Sequence, residues 1–333
     1  MNNPRIILDS GAYTVFKQGS TIDIDEYAEF VKNSNSVFCD YFNLDVIGDC
    51  VTSYKQWVYL RSLGLNPIPV FHLGGDETYL LKYLKQTDYI AIGAVAGKST
   101  PQRLLALDYL WNKYFINSSG EPLYKIHGLG MTSIDLIKRY PWYSVDSTSI
   151  LFTGIYGKIY LPLWRNNQWD YLNGIFCYVS LGEHNTNAGV SFLSLSKFLQ
   201  EKYMELFTQL GFSLGQMMYV EKRQTRVEKK SKDTRLSPFS SFSQDLIKNE
   251  VNKNKLNSCN IQRLMYNLTM YNKLKENLQK PCIIYLATGE SFIATAFQFI
   301  TPRHDLLFSY AYLKSSNNYR ILLELYKANK PIP

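Results

Sequence analysis

The chain has 333 residues, of which 46% are hydrophobic, and this length and composition support a substantial core. Its formal net charge of +8 and its pI near 9.0 favour an anionic partner such as nucleic acid. No apolar run approaches the roughly 20 residues that a membrane helix requires, so we expect no membrane partner. We also expect no signal peptide and a cytoplasmic location, because no basic-then-apolar leader opens the sequence.

The cysteines are scattered and odd in number, and no two of them have Cys-x-x-Cys spacing. They are Cys39, Cys50, Cys177, Cys259 and Cys282. Neither a disulfide framework nor a local zinc cluster is therefore predicted. Reduced thiols in a cytoplasmic protein are the simpler interpretation.

Strand and helix patterns alternate from the N-terminus to about residue 150, and they predict a series of strand–helix units. The predicted strands are residues 6–8, 37–44, 68–71, 88–93, 124–127 and 142–145. Asp23-Ile-Asp-Glu26 has the pattern of a capping box and predicts a helix start, and Ser99-Thr-Pro101 places proline in the first turn of another helix. Short connections between alternating strands and helices predict a parallel sheet.

Each predicted strand ends in a polar residue or a glycine. These residues are Asp9, Asp45, His72, Gly93, His127 followed by Gly128, and Asp146. Such residues commonly begin loops and cap helices, as Asp9 would in Asp9-Ser-Gly11. Their recurrence at the same end of successive parallel strands favours a single site at the C-terminal rim of an α/β barrel.

Residues 158–163 and 175–180 are two further predicted strands, which would complete a TIM-type (β/α)8 barrel in a catalytic domain spanning 1–182. Pro162 argues against a central position for the first of them. Residues 183–333 are expected to form an additional, mostly helical, basic region. In that region we predict helices near 193–210, 260–280, 290–299 and 305–313, and a short strand at 283–287.

A basic run at residues 221–235 holds seven basic and three acidic side chains. The candidates for contact with a nucleic-acid backbone are Lys222, Arg223, Arg226, Lys229 and Lys230. A solvated loop or helix face is an equally good interpretation of the same run.

Two of the carboxylates, Asp9 and Asp146, end the first and last strands of the alternating series. Rim positions of a closed barrel can face one another across the site. A carboxylate pair that flanks a glycosidic bond carries out double displacement at a sugar C1′, with one carboxylate as nucleophile and the other as proton carrier. Paired aspartates also bind metals, and sequence spacing alone does not separate the two uses.

Short motifs in residues 5–150 resemble those of the tRNA-guanine transglycosylase superfamily, most closely its phage and bacterial 7-deazaguanine DNA transglycosylases. The similar segments are Leu8-Asp-Ser-Gly-Ala-Tyr13, Asn43-Leu-Asp45, Phe71-His-Leu-Gly-Gly75, Ala91-Ile-Gly-Ala-Val-Ala96, His127-Gly-Leu-Gly130 and Tyr143-Ser-Val-Asp-Ser-Thr148. Ala12 stands where the family has a second glycine. The family also has two strands before the first of these motifs, so the resemblance requires strands from residues 150–182 to close the barrel.

The resemblance implies a role for each matched residue. Asp146 would be the nucleophile and Asp9 the general acid/base, while Tyr13 and His127 would sandwich the base. The full set of implied base-binding residues is Ser10, Tyr13, Asp45, His72, Gly93, Ala94, His127 and Gly128. A carboxylate such as Asp45 can accept hydrogen bonds from the N–H edge of a purine.

The reaction implied by the resemblance exchanges guanine in DNA for a free 7-deazaguanine base of the preQ0 type, through a covalent aspartyl intermediate. It needs no cofactor. The tRNA members carry a Cys-x-Cys-x2-Cys…His zinc site, whereas this chain has only Cys177 followed by His184 in that region, so no such zinc is predicted.

Other interpretations remain open from the sequence. They are the same exchange on tRNA, as in queuosine or archaeosine formation, a catalytically silent nucleic-acid-binding barrel, and a metal-dependent hydrolase using Asp9, Asp45, His72 and Asp146. The sequence does not decide whether the protein forms a homodimer or needs a helper protein.

Overall fold

The computed structural model describes residues 5–34, 36–93, 100–131, 133–179, 190–215, 255–288, 305–314 and 316–328. The chain divides into two compact units. The first unit takes residues from Met1–Thr148 and from Leu278–Pro333, and the second is Ser149–Asn277. Among the described helices, none is long and apolar enough to cross a membrane.

The first unit is an α/β structure built on a curled, parallel sheet of eight strands. In chain order the strands are β1 (Ile6–Asp9), β2 (Asp40–Tyr41), β3 (Val70–His72), β4 (Tyr89–Gly93), β5 (Lys125–Leu129), β6 (Ser144–Ser147), β10 (Ile283–Thr288) and β11 (Asp305–Ser309). Their order across the sheet is β2-β1-β11-β10-β6-β5-β4-β3. The two C-terminal strands thus lie between β1 and β6.

The two ends of this sheet are linked only lightly within the described residues. An isolated parallel bridge joins Phe42, which follows β2, to Ile68, which precedes β3. Ile68 N donates to Tyr41 O at 2.9 Å, and Asn43 N donates to Ile68 O at 2.8 Å. The strand ladder is otherwise open at this point.

Helices follow the strands, as the alternating pattern predicts. In the first unit they are Ala12–Gln18, Ile24–Ser34, Cys50–Ser62, Glu77–Leu84, Thr100–Leu110, Ile134–Arg139, Tyr310–Leu313 and Ser316–Ala328, with a π-helical turn at Trp111–Phe115. Several begin at a side-chain cap that satisfies a free backbone N–H, as when Asp49 accepts from Thr52 N and Asp76 accepts from Thr78 N.

The interior of the sheet is filled by one cluster of buried side chains. Its members are Ile7, Phe42, Ile68, Val70, Ala91, Tyr285, Ala287 and Leu307. These residues come from both the N-terminal and the C-terminal parts of the chain, so the core of this unit is completed only when β10 and β11 are in place.

The second unit contains a small sheet in the order β7-β8-β9, formed by β7 (Lys158–Arg165), β8 (Gln168–Tyr178) and β9 (Val190–Ser191). Its helices are Ser149–Ile155, Lys197–Gln209 and Asn260–Asn277. Arg263 is buried, and it donates from Nε to Gly154 O at 2.7 Å and from Nη1 to Leu256 O at 2.8 Å. The bond to Gly154 ties the longest described helix of the unit to its first one.

The prediction that residues 158–163 and 175–180 complete the parallel barrel is wrong. Residues 158–163 and 175–178 are in strands, but these strands pair with each other in antiparallel fashion as β7 and β8. Asn166 and Asn167 connect them with positive φ angles of 48° and 58°, which is the geometry of a two-residue hairpin turn. A parallel pair would need a much longer crossover connection.

The expected division of the chain at residue 182 also differs from the structure. Residues 183–333 do not form one helical region, because β10 and β11 return to the main sheet. The helix predicted near 305–313 is instead strand β11 followed by the short helix Tyr310–Leu313. The predicted helices near 193–210 and 260–280 and the strand at 283–287 are confirmed, while 290–299 lies outside the described residues.

Candidate functional site

Strand geometry brings several of the predicted residues to one edge of the main sheet. Successive side chains of a strand point to opposite faces, so a residue two positions after a core residue faces the same interior. The core residues Ile7, Val70, Ala91 and Leu307 are followed in this way by Asp9, His72, Gly93 and Ser309. All of these strands run parallel, and their C-terminal ends therefore meet at one edge.

Asp9 is the last residue of β1, and its carboxylate lies in a turn that Gly11 makes possible. Gly11 has φ 81° and donates its N–H to Asp9 Oδ2 at 3.1 Å. Burial, together with the negative charges of Asp45 and Asp146, raises the pKa of Asp9 to about 7. Asp9 therefore exchanges a proton near neutral pH, as a general acid/base requires.

Asp146 lies on β6 and is 8% exposed. Its Oδ1 atom accepts two hydrogen bonds, from His127 Nε2 at 3.1 Å and from Gly130 N at 3.0 Å. Two donors on one oxygen satisfy part of the hydrogen-bonding capacity of this nearly buried side chain. Within the described residues both of these bonds fall on Oδ1 and neither on Oδ2.

His127 lies deeper than the sequence predicts. Strand β5 continues to Leu129, so His127 is in the middle of the strand and is fully buried. Its ring is 4.7 Å from the ring of Phe42, centroid to centroid, and both of its nitrogens are hydrogen-bonded. No face of the ring is accessible in this structure, so the stacking of His127 on a base stays a prediction that this arrangement does not favour.

Asp45 is held between two polar partners. Ser10 Oγ donates to Asp45 Oδ1 at 3.2 Å, and His72 Nε2 lies 3.1 Å from Asp45 Oδ2. Asp45 is 8% exposed, and Ser10 is fully buried. The structure thus brings together three of the predicted base-binding residues, which come from β3, the turn after β1 and the loop after β2.

Gly93 and Gly128 differ in which residues a side chain at each position would contact. A Cβ atom on Gly93 would lie 2.7 Å from His72 Cδ2, so the absence of a side chain lets the His72 ring occupy this space. A Cβ atom on Gly128 would instead lie 3.1 Å from the ring of Trp142 and from Met131 Cβ. A side chain at Gly128 would thus point away from the face that His127 occupies, and its contact with a base stays a prediction.

Tyr13 is in the first helix after Asp9 and is 53% exposed. Lys17 Nζ lies 5.2 Å from the centroid of its ring. The ring has an accessible surface, which a stacking role requires.

Sequence analysis missed a further residue at this edge, Ser309. It ends β11, pairs in register with Asp9, and its buried Oγ has no hydrogen-bond partner within the described part of the chain. A Cβ atom on Gly11 would lie 2.7 Å from this Oγ. The signal was available, because Leu306-Leu-Phe-Ser309 repeats the pattern of Ile6-Ile-Leu-Asp9, an apolar run that ends in a polar residue.

Several predicted residues lie outside the described residues. They are Ala94 and the basic residues Lys222, Arg223, Arg226, Lys229 and Lys230. His184 lies outside them as well, while Cys177 is buried in β8 and burial raises the pKa of its thiol to about 12. Among the side chains that the structure describes, no three His, Cys, Asp or Glu residues form a group able to hold a metal ion.

Comparison of the sequence with protein-family models and with curated proteins gives no match.

Proposed function

We propose that this protein is a base-exchanging transglycosylase that replaces guanine in DNA with a 7-deazaguanine base of the preQ0 type. The proposal rests on one observation, the unequal surroundings of Asp9 and Asp146. The pKa of Asp9 is raised to about 7, whereas Asp146 receives two hydrogen bonds on one oxygen and keeps the other free of donors within the described residues. A proton carrier beside an anionic nucleophile is what double displacement at C1′ requires.

We further propose that the curled sheet is a TIM-type (β/α)8 barrel, which would close between β2 and β3. The bridge between Phe42 and Ile68 and its two backbone hydrogen bonds support closure at this position. In such a barrel the C-terminal ends of the strands surround one site. Asp9 and Asp146 would then be separated by the ends of β11 and β10 on one side of the ring.

The first half of the reaction would place a flipped guanosine at this edge. Asp146 Oδ2 attacks C1′ and forms a C1′–O bond as the C1′–N9 bond breaks. Asp9 donates its proton to the departing guanine, which leaves as the neutral base. The product of this half is an ester between Asp146 and the deoxyribose.

The second half reverses these steps with a different base. Ionised Asp9 accepts the N9 proton of the incoming 7-deazaguanine, and N9 attacks C1′ while the C1′–O bond to Asp146 breaks. Two inversions give overall retention of configuration. Asp9 is protonated again at the end and ready for the next turnover.

The remaining described residues would bind the base. Tyr13 offers an accessible ring for stacking, and base–aromatic stacking contributes about 1–3 kcal/mol per base in single-strand sites. Asp45, oriented by Ser10 and His72, would accept hydrogen bonds from the N–H edge of guanine. Gly93 leaves room for His72 in this arrangement.

Label incorporation tests the proposal. The protein is incubated with radiolabelled guanine or 7-cyano-7-deazaguanine in the presence of one polymer at a time. The polymers are duplex DNA, single-stranded DNA and tRNA. Asp146→Asn should abolish incorporation, while Asp88→Asn should not, because the Asp88 side chain is 78% exposed and makes only a 3.3 Å surface pair with Lys125.

Label in DNA with wild type and Asp88→Asn alone supports the proposal. Label in tRNA would retain the chemistry and replace the polymer. Label in no polymer, or equal incorporation by Asp146→Asn, would refute the proposed reaction.

A further inference from the structure

A continuous chain of hydrogen bonds runs from Asp146 into the core of the sheet. His127 Nε2 contacts Asp146 Oδ1 at 3.1 Å, and His127 Nδ1 contacts Ser144 Oγ at 2.7 Å. Tyr89 OH lies 2.9 Å from the same Ser144 oxygen. His127 and Ser144 are fully buried, so these groups exchange hydrogen bonds with one another and not with water.

One neutral tautomer of His127 satisfies the whole chain. Tyr89 O–H donates to Ser144 Oγ, Ser144 O–H donates to His127 Nδ1, and His127 Nε2–H donates to Asp146 Oδ1. The opposite neutral tautomer would set an unprotonated Nε2 against a carboxylate, which is an acceptor facing an acceptor. Of the two neutral tautomers, only the Nε2–H form therefore gives Asp146 Oδ1 a hydrogen-bond donor from His127.

From this chain we propose that His127 is a positioning residue. It is fixed by Ser144 in the Nε2–H tautomer, and it holds Asp146 so that Oδ2 faces C1′. This role rests on the proposed function, in which Asp146 is the nucleophile. His127 itself does not reach the substrate, because Phe42 packs on its ring and the carboxylate covers its Nε2 edge.

The packing around His127 indicates a role beyond filling space. Ring contacts with Phe42 and Tyr285 surround it, at centroid distances of 4.7 and 6.1 Å. An apolar side chain would suit such neighbours, and a buried polar group is costly unless its hydrogen bonds are all made. The second donor to Asp146 Oδ1, Gly130 N, comes from the turn after β5, so the strand and its following turn together fix the same oxygen.

The tautomer can be measured without any substrate. The chain has four histidines, so ¹⁵N-histidine labelling gives few ring signals, and the signal of His127 is the one lost in His127→Gln. Long-range ¹H–¹⁵N correlation at neutral pH should show protonated Nε2 and unprotonated Nδ1. Ser144→Ala should shift the Nδ1 resonance. An Nδ1–H tautomer, a doubly protonated ring, or no response to Ser144→Ala would overturn the proposed hydrogen-bond chain.

The positioning role is tested by the rate at which Asp146 forms a covalent adduct with DNA, measured in single turnover, alongside the Kd for the same DNA. His127→Leu should slow adduct formation about 10- to 100-fold, the range expected for loss of a hydrogen bond to a charged group, with Kd unchanged. His127→Gln keeps an N–H donor and should restore the rate to within about tenfold of wild type. Tyr140→Phe, which removes a hydroxyl bonded to Asp108 away from this chain, is the matched control.

A wild-type rate in His127→Leu, or no restoration by a folded His127→Gln, would overturn the positioning role. Absence of an adduct in wild type with every polymer would overturn the proposed function and the positioning role that rests on it. The NMR result would then decide the hydrogen-bond chain on its own, so the two failures are distinguishable.

Discussion

Asp9→Asn should make the protein more stable and abolish the proposed base exchange. The pKa of Asp9 is raised from 3.8 to about 7, first by burial and then by the charges of Asp45 and Asp146. Between these two values the folded chain holds a proton that the unfolded chain releases, so the free energy of unfolding falls as pH rises. The difference of about 3 pKa units corresponds to at most about 4 kcal/mol in the free energy of unfolding. This amount is lost as the pH rises from about 4 to about 7, and the contribution of Asp9 does not change further above pH 7.

Asparagine does not titrate, and its side-chain oxygen still accepts the hydrogen bond from Gly11 N. The free energy of unfolding of Asp9→Asn minus that of wild type should therefore increase by about 2–3 kcal/mol from pH 5 to pH 8. Urea unfolding, followed by the fluorescence of the five tryptophans, measures this difference. Asp88→Asn is the control, because an exposed carboxylate should give a difference that does not change with pH.

A difference that is the same at pH 5 and pH 8, or that decreases with pH, would refute the raised pKa. It would also remove the physical basis for Asp9 as a proton carrier. The expected result is a carboxylate that lowers the free energy of unfolding at neutral pH, a cost that the proposed role of Asp9 in proton transfer would explain.

Three further predictions concern neighbouring residues. Asp45→Asn removes a negative charge that raises the pKa of Asp9. The alkaline limb of the pH profile of kcat/KM for DNA should therefore move to lower pH. An unchanged alkaline limb would show that the two carboxylates do not interact. Tyr13→Ala should weaken guanine binding about 5- to 100-fold in calorimetry and leave urea unfolding unchanged, because the ring is exposed. Gly93→Ala should displace His72, lower the free energy of unfolding by about 1–3 kcal/mol and weaken guanine binding. A crystal structure of this variant with His72 in its original position would contradict the prediction.

The early strands and the rim carboxylates were predictable because both follow from local pattern. Short apolar runs that end in Asp9 and Asp146 are confirmed as strands β1 and β6, and the period of two along a strand places both carboxylates on the interior face. The strands that connect β1 to β6 in the sheet are distant from both in the sequence. Their proximity depends on β10 and β11, more than 130 residues after Asp146 in the chain.

The depth of a residue within a strand is harder to predict than the strand itself. An apolar run ending at His127 predicted that this side chain lies at the rim. Gly128 and Leu129 extend β5 past it, and His127 is instead paired in register with Ala91 and Ser144 below the edge. An error of two residues in the end of one strand thus changed a proposed base-stacking group into a buried partner of Asp146.

The strand order also determines why the site needs both ends of the chain. Strand β1 pairs with β11, β11 with β10, and β10 with β6, so the two C-terminal strands set the separation of Asp9 and Asp146. Ser309 pairs with Asp9 in this arrangement. Strands β10 and β11 therefore belong to the site-bearing sheet, and Asp146, one of the two charges that raise the pKa of Asp9, is joined to β1 through them.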